Sequence, residues 1–151
     1  MSDALPYQGK TALYFEDQPE RVEAIKDLLH YKLGIELQMA VTLKEASKLV
    51  MERKFDLVIL DIRIQADGPK EQSGTEDWAR SGLHFLKELR DGKFGERTPK
   101  DVPVLVITCV VNTSDVDAIL EIGNSPGARC LYIAKPTKLD PVVEAVHKLF
   151  A

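Results

Sequence analysis

Four consecutive apolar residues, Leu57 to Leu60, lead directly into Asp61, and this stretch constrains the fold more than any other. A short apolar run with β-branched residues is typical of a strand buried on both faces, as strands are in parallel sheets. Open α/β folds place their ligands at the carboxyl ends of such strands. Asp61 therefore either belongs to a site at that edge or only begins a polar loop, and the stretch alone favours the loop.

Apolar patterns elsewhere in the chain predict an alternation of strands and helices. Short apolar runs predict four further strands, which cover residues 10–15, 35–39, 104–107 and 131–134. Helical spacing of apolar residues follows each strand; Thr42 and Glu45 form a capping-box pattern, and Gly34 and Gly123 are stop signals. Five strands alternating with five helices predict a doubly wound α/β domain, in which helices cover both faces of a parallel sheet.

Length and charge limit the functional classes that the chain can belong to. Its 151 residues predict one domain over residues 1–151, with a core at about residues 10–150. The net charge of −4 supplies no general attraction for nucleic acid or anionic membranes, and no apolar run reaches the roughly 20 residues of a membrane helix. No secretory signal opens the sequence, and Cys109 and Cys130 are predicted to be buried thiols. We therefore expect a cytoplasmic protein that binds neither nucleic acid nor membrane.

Polar residues stand at the ends of four of the predicted strands, namely Glu16, Asp17, Asp61, Thr108 and Lys135. Right-handed crossovers would open all these strand ends on one edge of the sheet. Three carboxylates gathered there repel one another unless a cation is present, and a few oxygen ligands open to water suit Mg²⁺. A carboxylate beside such an ion can act as a nucleophile and form an acyl phosphate. Lysine would supply a point charge, and threonine a hydrogen bond, to the phosphoryl oxygens.

Each of these residues also has a structural explanation that involves no ligand. Asp17 could cap a helix, Thr108 could be an ordinary strand-end hydroxyl, Lys135 could be exposed, and Tyr132 could be a core aromatic residue. All of these explanations would have to hold together by coincidence, so the joint pattern favours a site.

In this pattern the chain resembles the receiver domains of two-component response regulators, over roughly Lys10 to Phe150. The matching motifs, in chain order, are Glu16-Asp17, Asp61, Thr108, Tyr132 and Lys135-Pro136. The resemblance implies a flavodoxin-like fold with strand order 2-1-3-4-5. It also implies a signalling phosphoacceptor that catalyses its own phosphorylation and has no separate catalytic output domain.

The resemblance implies a role for each matching residue. Asp61 would accept a phosphoryl group from a histidine kinase or histidine phosphotransfer protein, and the signal would pass to a downstream protein partner. Mg²⁺ would be bound by Glu16, Asp17, Asp61 and the backbone carbonyl of Arg63. Thr108 and Lys135 would bind the phosphoryl group. Thr108 and Tyr132 would act as the switch.

Three departures from the family pattern stand out. The stretch after Asp61, about residues 64–81 with Trp78, is expanded; it is either a tolerated surface insertion or, as we favour, a partner-docking or gating element. Arg63 and Val110 occupy variable positions where bulky or apolar side chains are hypothesised to slow loss of the phosphoryl group. The turn from Gly123 to Arg129 is longer than usual.

Three other functions compete with the receiver as explanations of this pattern. A pseudo-receiver would keep the fold as a protein-binding scaffold without taking phosphate. A phosphohydrolase of the haloacid dehalogenase type would need a second aspartate where the chain has Arg63, and a nucleotide-binding Rossmann module would need a glycine-rich first turn. The cognate kinase and the oligomeric state, a homodimer included, stay open.

Overall fold

The computed structural model describes residues 5–62, 81–109, 113–135 and 137–151. Several predictions fall outside these residues: the carbonyl of Arg63, the expanded stretch up to residue 80 with Trp78, the effect of Val110 and the proline after Lys135.

The described strands form one five-stranded sheet in the order β2-β1-β3-β4-β5. Every neighbouring pair in this sheet is parallel. The strands are β1 Thr11–Phe15, β2 Glu36–Ala40, β3 Leu57–Leu60, β4 Val104–Cys109 and β5 Cys130–Lys135. The predicted fold class and strand order are therefore confirmed.

Helical segments follow each of the five strands. The first consists of a 3₁₀ turn, helix α1 and a π-helical turn, with bounds Pro19–Val22, Glu23–Asp27 and Leu28–Lys32. The others are α2 Leu43–Glu52, α3 Ser81–Arg90, α4 Thr113–Gly123 and α5 Leu139–Phe150. Within the described residues, none of these helices combines the length and the apolar character needed to cross a bilayer.

The two faces of the sheet are covered by different helices, which explains the apolar run that ends at Asp61. One face carries Leu13 and Phe15 and packs against α2, α3 and α4. The other carries Ala12 and Tyr14 and packs against α1 and α5. Because β3 lies at the centre of the sheet, all four of its residues are fully buried. The continuous apolar run is the pattern expected of such a strand.

Helix α2 begins with the predicted cap, in a slightly shifted form. The hydroxyl of Thr42 accepts a hydrogen bond from the backbone N–H of Glu45 at 3.1 Å. The carboxylate of Glu45 accepts from the N–H of Val41 at 2.8 Å, one residue before the position that a standard capping box would use. Both bonds satisfy donors at the start of the helix.

The long turn before β5 is held by Arg90, a residue that sequence reasoning did not single out. The Arg90 side chain is buried, and its four hydrogen bonds to residues that the structure describes all end on backbone carbonyls. The acceptors are Gly123 at 2.9 Å, Lys100 at 2.8 Å, Val102 at 2.7 Å and Arg129 at 3.1 Å. Burial lowers the pKa of Arg90. Its guanidinium joins the ends of α3 and α4 to the segment that enters β5.

Cys130 lies beside this anchor and behaves as the predicted buried thiol. Its side chain is free of disulfide bonding and buried. Burial raises the pKa of Cys130 to about 11, although the positive charge of Arg90 opposes the shift. A thiol with such a pKa is a poor nucleophile, because little thiolate is present at neutral pH.

Candidate functional site

The ends of β1, β3, β4 and β5 bring together residues that are far apart in sequence. Glu16 follows β1, Asp61 follows β3, and Thr108 and Lys135 lie in the last two positions of β4 and β5. The N–H of Asp61 donates to the carbonyl of Phe15 at 3.0 Å, which continues the β1–β3 ladder to the edge of the sheet. The parallel register thus places all these side chains at one edge.

The predicted carboxylates form a compact cluster at this edge. Glu16, Asp17 and Asp61 each offer an oxygen atom, and these atoms lie within 4.8 Å of one another. Glu16 is 2% exposed and Asp61 is 7% exposed. Burial raises the pKa of Glu16 to about 7; the bond from Lys135 opposes the shift and the charge of Asp61 adds to it. Taking the Glu16 carboxylate out of water is therefore the dominant electrostatic cost of this cluster.

Lys135 bridges two of these carboxylates. Its Nζ lies 2.6 Å from Oε1 of Glu16 and 2.9 Å from Oδ2 of Asp61. Burial acts to lower the pKa of Lys135, but the hydrogen bonds to Glu16 and Asp61 outweigh it and the pKa is raised. The ammonium group therefore stays charged and offsets part of the negative charge of the cluster.

The remaining oxygen atoms of the same two carboxylates also accept hydrogen bonds. The buried hydroxyl of Thr108 donates to Oδ1 of Asp61. The backbone N–H of Gln18 donates to Oε2 of Glu16 at 3.1 Å. Both oxygens of Asp61 and both oxygens of Glu16 are thus engaged by groups of the chain itself.

Tyr132, the predicted switch residue, lies on a different side of the sheet from Lys135. It pairs in register with Val106 and packs against the buried cluster beneath α2, α3 and α4. Val106 belongs to that cluster and lies two residues before Thr108, so Tyr132 and Thr108 lie on the same face. The structure therefore places the two predicted switch residues on one face.

Sequence reasoning missed Tyr14, which lies directly below the carboxylates. Tyr14 pairs with Ile59, and these residues precede Glu16 and Asp61 by two positions on the same face of the sheet. The side chain is fully buried, and its hydroxyl makes no hydrogen bond to any residue that the structure describes. Burial, with the charges of Glu16 and Asp61, raises the pKa of Tyr14. A hydroxyl within a buried strand, two residues before an acid, was the signal available in the sequence.

Gly82 also supports the site in a way that the sequence did not reveal. Its N–H donates to the carbonyl of Ile62 at 3.3 Å. A Cβ atom at this position would lie 2.5 Å from the carbonyl oxygen of Asp61 and 2.6 Å from Cα of Ile62. Helix α3 therefore begins in direct contact with the backbone that carries Asp61, and only glycine allows this approach.

The donor set of the cluster fits a hard divalent cation. Carboxylate oxygens that are few in number and close together are the ligands that Mg²⁺ takes in proteins, while waters fill its other positions. Glu16, Asp17 and Asp61 supply such oxygens from two adjacent strand ends. The cluster could therefore bind the ion that the sequence predicts.

Comparison with known protein families identifies the class to which this arrangement corresponds. The model of the family described as "Response regulator receiver domain" matches residues 12–147. The matched range contains every predicted site residue. A comparison with curated proteins gives no significant match.

Solved structures share the fold at low sequence identity. A two-component response regulator from Clostridium difficile is 20% identical, with a TM-score of 0.69 and coverage of 93% of this chain and 95% of that one. The non-phosphorylated HemR receiver domain from Leptospira biflexa is 24% identical, with a TM-score of 0.68 and coverage of 94% of both chains. A CheY-like receiver domain protein from Methanospirillum hungatei is 19% identical, with a TM-score of 0.67 and coverage of 96% and 93%.

Proposed function

Because the chain belongs to the response regulator receiver family, we propose that it is a signalling phosphoacceptor in which Asp61 takes up a phosphoryl group. The observation that carries the proposal is the position of Asp61. Its buried carboxylate lies in the acidic cluster and within hydrogen-bonding distance of both Thr108 and Lys135. A nucleophile, a set of anionic metal ligands and two groups able to bind a phosphoryl oxygen thus share one site.

The reaction that we propose is a transfer from phosphohistidine to aspartate. An oxygen of Asp61 attacks phosphorus, so an O–P bond forms and the P–N bond of the donor breaks. The imidazole leaves with the electron pair of that bond and takes a proton, and an acyl phosphate remains on Asp61. Mg²⁺, when bound, neutralises negative charge on the phosphoryl oxygens. Glu16, Asp17 and Asp61 would hold it, together with the backbone carbonyl of Arg63.

Lys135 and Thr108 would then bind the new phosphoryl group. The ammonium group of Lys135 carries a positive charge on a flexible stem, which lets it follow the transferred charge. The hydroxyl of Thr108 already donates to Asp61, so a small movement would bring it to a phosphoryl oxygen. Tyr132 lies on the same face of the sheet as Thr108. This movement would therefore shift the conformational equilibrium of the part of the domain that includes Tyr132.

The partners that we propose follow from this chemistry. The phosphoryl donor is a histidine kinase or a histidine phosphotransfer protein, in the cytoplasm, and the signal passes to a downstream protein by contact. Residues 1–151 would act as one receiver unit, and its substrate would be the phosphoryl donor alone.

The test is direct phosphorylation with a small donor. We expect protein incubated with acetyl phosphate and Mg²⁺ to gain the mass of one phosphoryl group, measured by intact-protein mass spectrometry. Asp61→Asn should lose this adduct completely, because an amide is not a comparable nucleophile. Asp91→Asn, which changes an exposed aspartate after α3, is the matched control and should keep the adduct.

The pseudo-receiver remains the second candidate, and one observation favours it. Both oxygens of Asp61 accept hydrogen bonds from Lys135 and Thr108, so the nucleophile is not free to react as it stands. A folded protein that gives no adduct with acetyl phosphate or with phosphoramidate, in the presence of Mg²⁺, would establish this candidate instead.

A further inference from the structure

The residues that precede β1 fold onto the carboxyl-terminal end of α5. The hydroxyl of Tyr7 is hydrogen-bonded to Nδ1 of His147. The centroids of the Tyr7 and Phe150 rings lie 4.7 Å apart in a tilted arrangement, and Nζ of Lys10 lies 5.8 Å from the centre of the Phe150 ring. These contacts join the beginning of the described chain to the last turn of its last helix.

The same residues also contact the end of the first helical segment. The N–H of Tyr7 donates to the carbonyl of Leu33 at 2.8 Å. Gly34 follows with a φ of +82°, and a Cβ atom there would lie 2.9 Å from Cβ of Leu5, so glycine is required on both counts. Tyr7 and Phe150 both pack against the buried cluster that α1 and α5 cover. The segment therefore closes one end of that core between the first and the last helical elements.

We propose that residues 5–10 are a clasp, which joins the end of α5 to the end of the first helical segment and opens as one unit. When the clasp is closed, α5 stays helical to its last residue. When it opens, the last turn of α5 frays and the end of the core meets solvent. The range that the family model matches, residues 12–147, leaves out Tyr7, Lys10 and Phe150, so membership of the family does not imply these contacts. The clasp is independent of the proposed function.

The clasp can open while the sheet stays intact, because few backbone hydrogen bonds tie it to the sheet. Its internal bonds are local turns, in which the N–H of Gln8 donates to Leu5 at 3.2 Å and that of Lys10 to Tyr7 at 3.0 Å. Among the described residues, only two backbone bonds join it to the rest of the chain: the one from Tyr7 and one from the N–H of Glu36 to the carbonyl of Lys10 at 2.8 Å. Segments with so few external bonds open at a low free energy.

The ring of Tyr7 contributes more to the closed clasp than its hydroxyl does. His147 is exposed, so water competes for the hydrogen bond and its net contribution is small. The ring is half-buried and contacts both His147 and Phe150, so removing it loses apolar burial and an aromatic pair. Loss of the whole ring should therefore open the clasp, whereas loss of the hydroxyl alone should change it little.

The last turn of α5 depends on the clasp because little else holds it. The final carbonyls of a helix have no partners within the helix, so an end without other contacts frays. Here Arg129 donates to the carbonyls of Lys148 at 2.9 Å and Ala151 at 3.0 Å, and both bonds are exposed. Leu149 is the buried side chain of this turn. Tyr7 adds the contacts on the remaining side.

The test measures amide hydrogen exchange, residue by residue, in the full chain. In Tyr7→Ala, the amides of residues 147–150 and the amide of Glu36 should exchange at least about fivefold faster than in wild type, because both depend on the closed clasp. The amides of β3 and β4 should keep their rates. Tyr31→Ala, which removes a tyrosine that is 70% exposed, is the matched control and should change neither group. Tyr7→Phe should raise the rates by less than about twofold.

A second measurement uses limited proteolysis. Trypsin can cut after Lys10 only when the clasp is open, so the initial rate of this cut reports the open population. The rate, measured by mass spectrometry, should rise at least about fivefold in Tyr7→Ala. The cut after exposed Lys138, in the segment between β5 and α5, is the internal control and should not change.

Two results in Tyr7→Ala would overturn the clasp. Unchanged exchange at residues 147–150 would mean that α5 holds its own end. Equal acceleration of β3 and β4 would mean that Tyr7 supports the whole core and that no separate unit opens.

Wild type alone decides the question if Tyr7→Ala does not fold. In low concentrations of urea, the amides of Glu36 and of residues 147–150 should then share one opening free energy, smaller than that of β3. Different opening free energies for these two groups would overturn the clasp.

Discussion

Arg90 is a buried cation and Lys135 a partly buried one; they lie at opposite edges of the sheet, and their partners differ. Lys135 bridges two carboxylates at the carboxyl edge, whereas the four hydrogen bonds of Arg90 end on backbone carbonyls near the amino edge. Carbonyls that belong to the fold cannot leave, and the rigid guanidinium matches their fixed positions. Carboxylates can exchange one cation for another. Arg90 therefore belongs to the framework of the fold, whereas Lys135 belongs to the candidate site.

The largest expected effect is on stability at the structural cation. Arg90→Met should lower the free energy of unfolding by about 3–4 kcal/mol, because it removes four hydrogen bonds to backbone carbonyls, two of them buried. Urea denaturation followed by circular dichroism measures this loss. Lys135→Met should lower the free energy of unfolding by only about 1–2 kcal/mol. Added Mg²⁺ should restore the lost stability, since another cation can take the place of lysine.

The control for this pair is Arg97→Met, which changes an exposed arginine and should alter stability by less than about 0.5 kcal/mol. The distinction between the two cations would disappear if Mg²⁺ restored the stability of Arg90→Met. It would also disappear if the two variants lost equal stability and Mg²⁺ affected neither.

A smaller effect should appear as a dependence of stability on pH. The pKa of Glu16 is about 7 in the folded protein, against an ordinary value of 4.5. A raised pKa contributes stability below 4.5 that is lost as the pH rises through about 7. In the absence of Mg²⁺, wild type should therefore lose on the order of 2 kcal/mol relative to Glu16→Gln between those pH values.

Denaturation curves at a series of pH values would show this loss. Glu52→Gln, which changes an exposed glutamate, is the control. The pKa of Lys135 is also raised, so its stabilising contribution is lost only at high pH and does not disturb this window. A difference between wild type and Glu16→Gln that stays constant with pH would contradict the assigned burial of the Glu16 charge.

The smallest effect is expected at Tyr14, which is polar and buried but uncharged. Its hydroxyl has no hydrogen-bond partner within the described ranges, so Tyr14→Phe should leave stability unchanged or raise it by up to about 1 kcal/mol. Thermal denaturation measures the change, and Tyr31→Phe, at a tyrosine that is 70% exposed, is the control outside the site. A loss of stability above about 1 kcal/mol would mean that the hydroxyl has a partner after all.

The sequence predicted the elements of the site better than their mutual contacts. Strand ends could be located because apolar runs stop at polar residues, and parallel topology then places those ends at one edge. The bridge from Lys135 to Glu16 joins residues 119 positions apart, and no local pattern encodes such a contact. The resemblance to receivers implied a role for each residue, but not the engagement of both oxygens of Asp61.

Arg90 shows a different limit of sequence reasoning. An arginine in the last turn of an amphipathic helix is expected at the surface, where its charge interacts favourably with the helix dipole. Its burial depends on the long turn from Gly123 to Arg129, which approaches α3 only in the folded chain. In the sequence this turn stands out only as a departure from the family pattern. In the structure the carbonyls at its two ends, those of Gly123 and Arg129, accept two of the four hydrogen bonds from the guanidinium.

The contact between Gly82 and Ile62 has a consequence for how this chain tolerates changes in length. The hydrogen bond between them holds residues 62 and 82 together. The entropy of closing a loop grows only slowly with length once its ends are held together. Residues could therefore be added between these two positions at small thermodynamic cost. Strand β3 would not need to move, so this junction is where a tag or a peptide could be inserted into the chain.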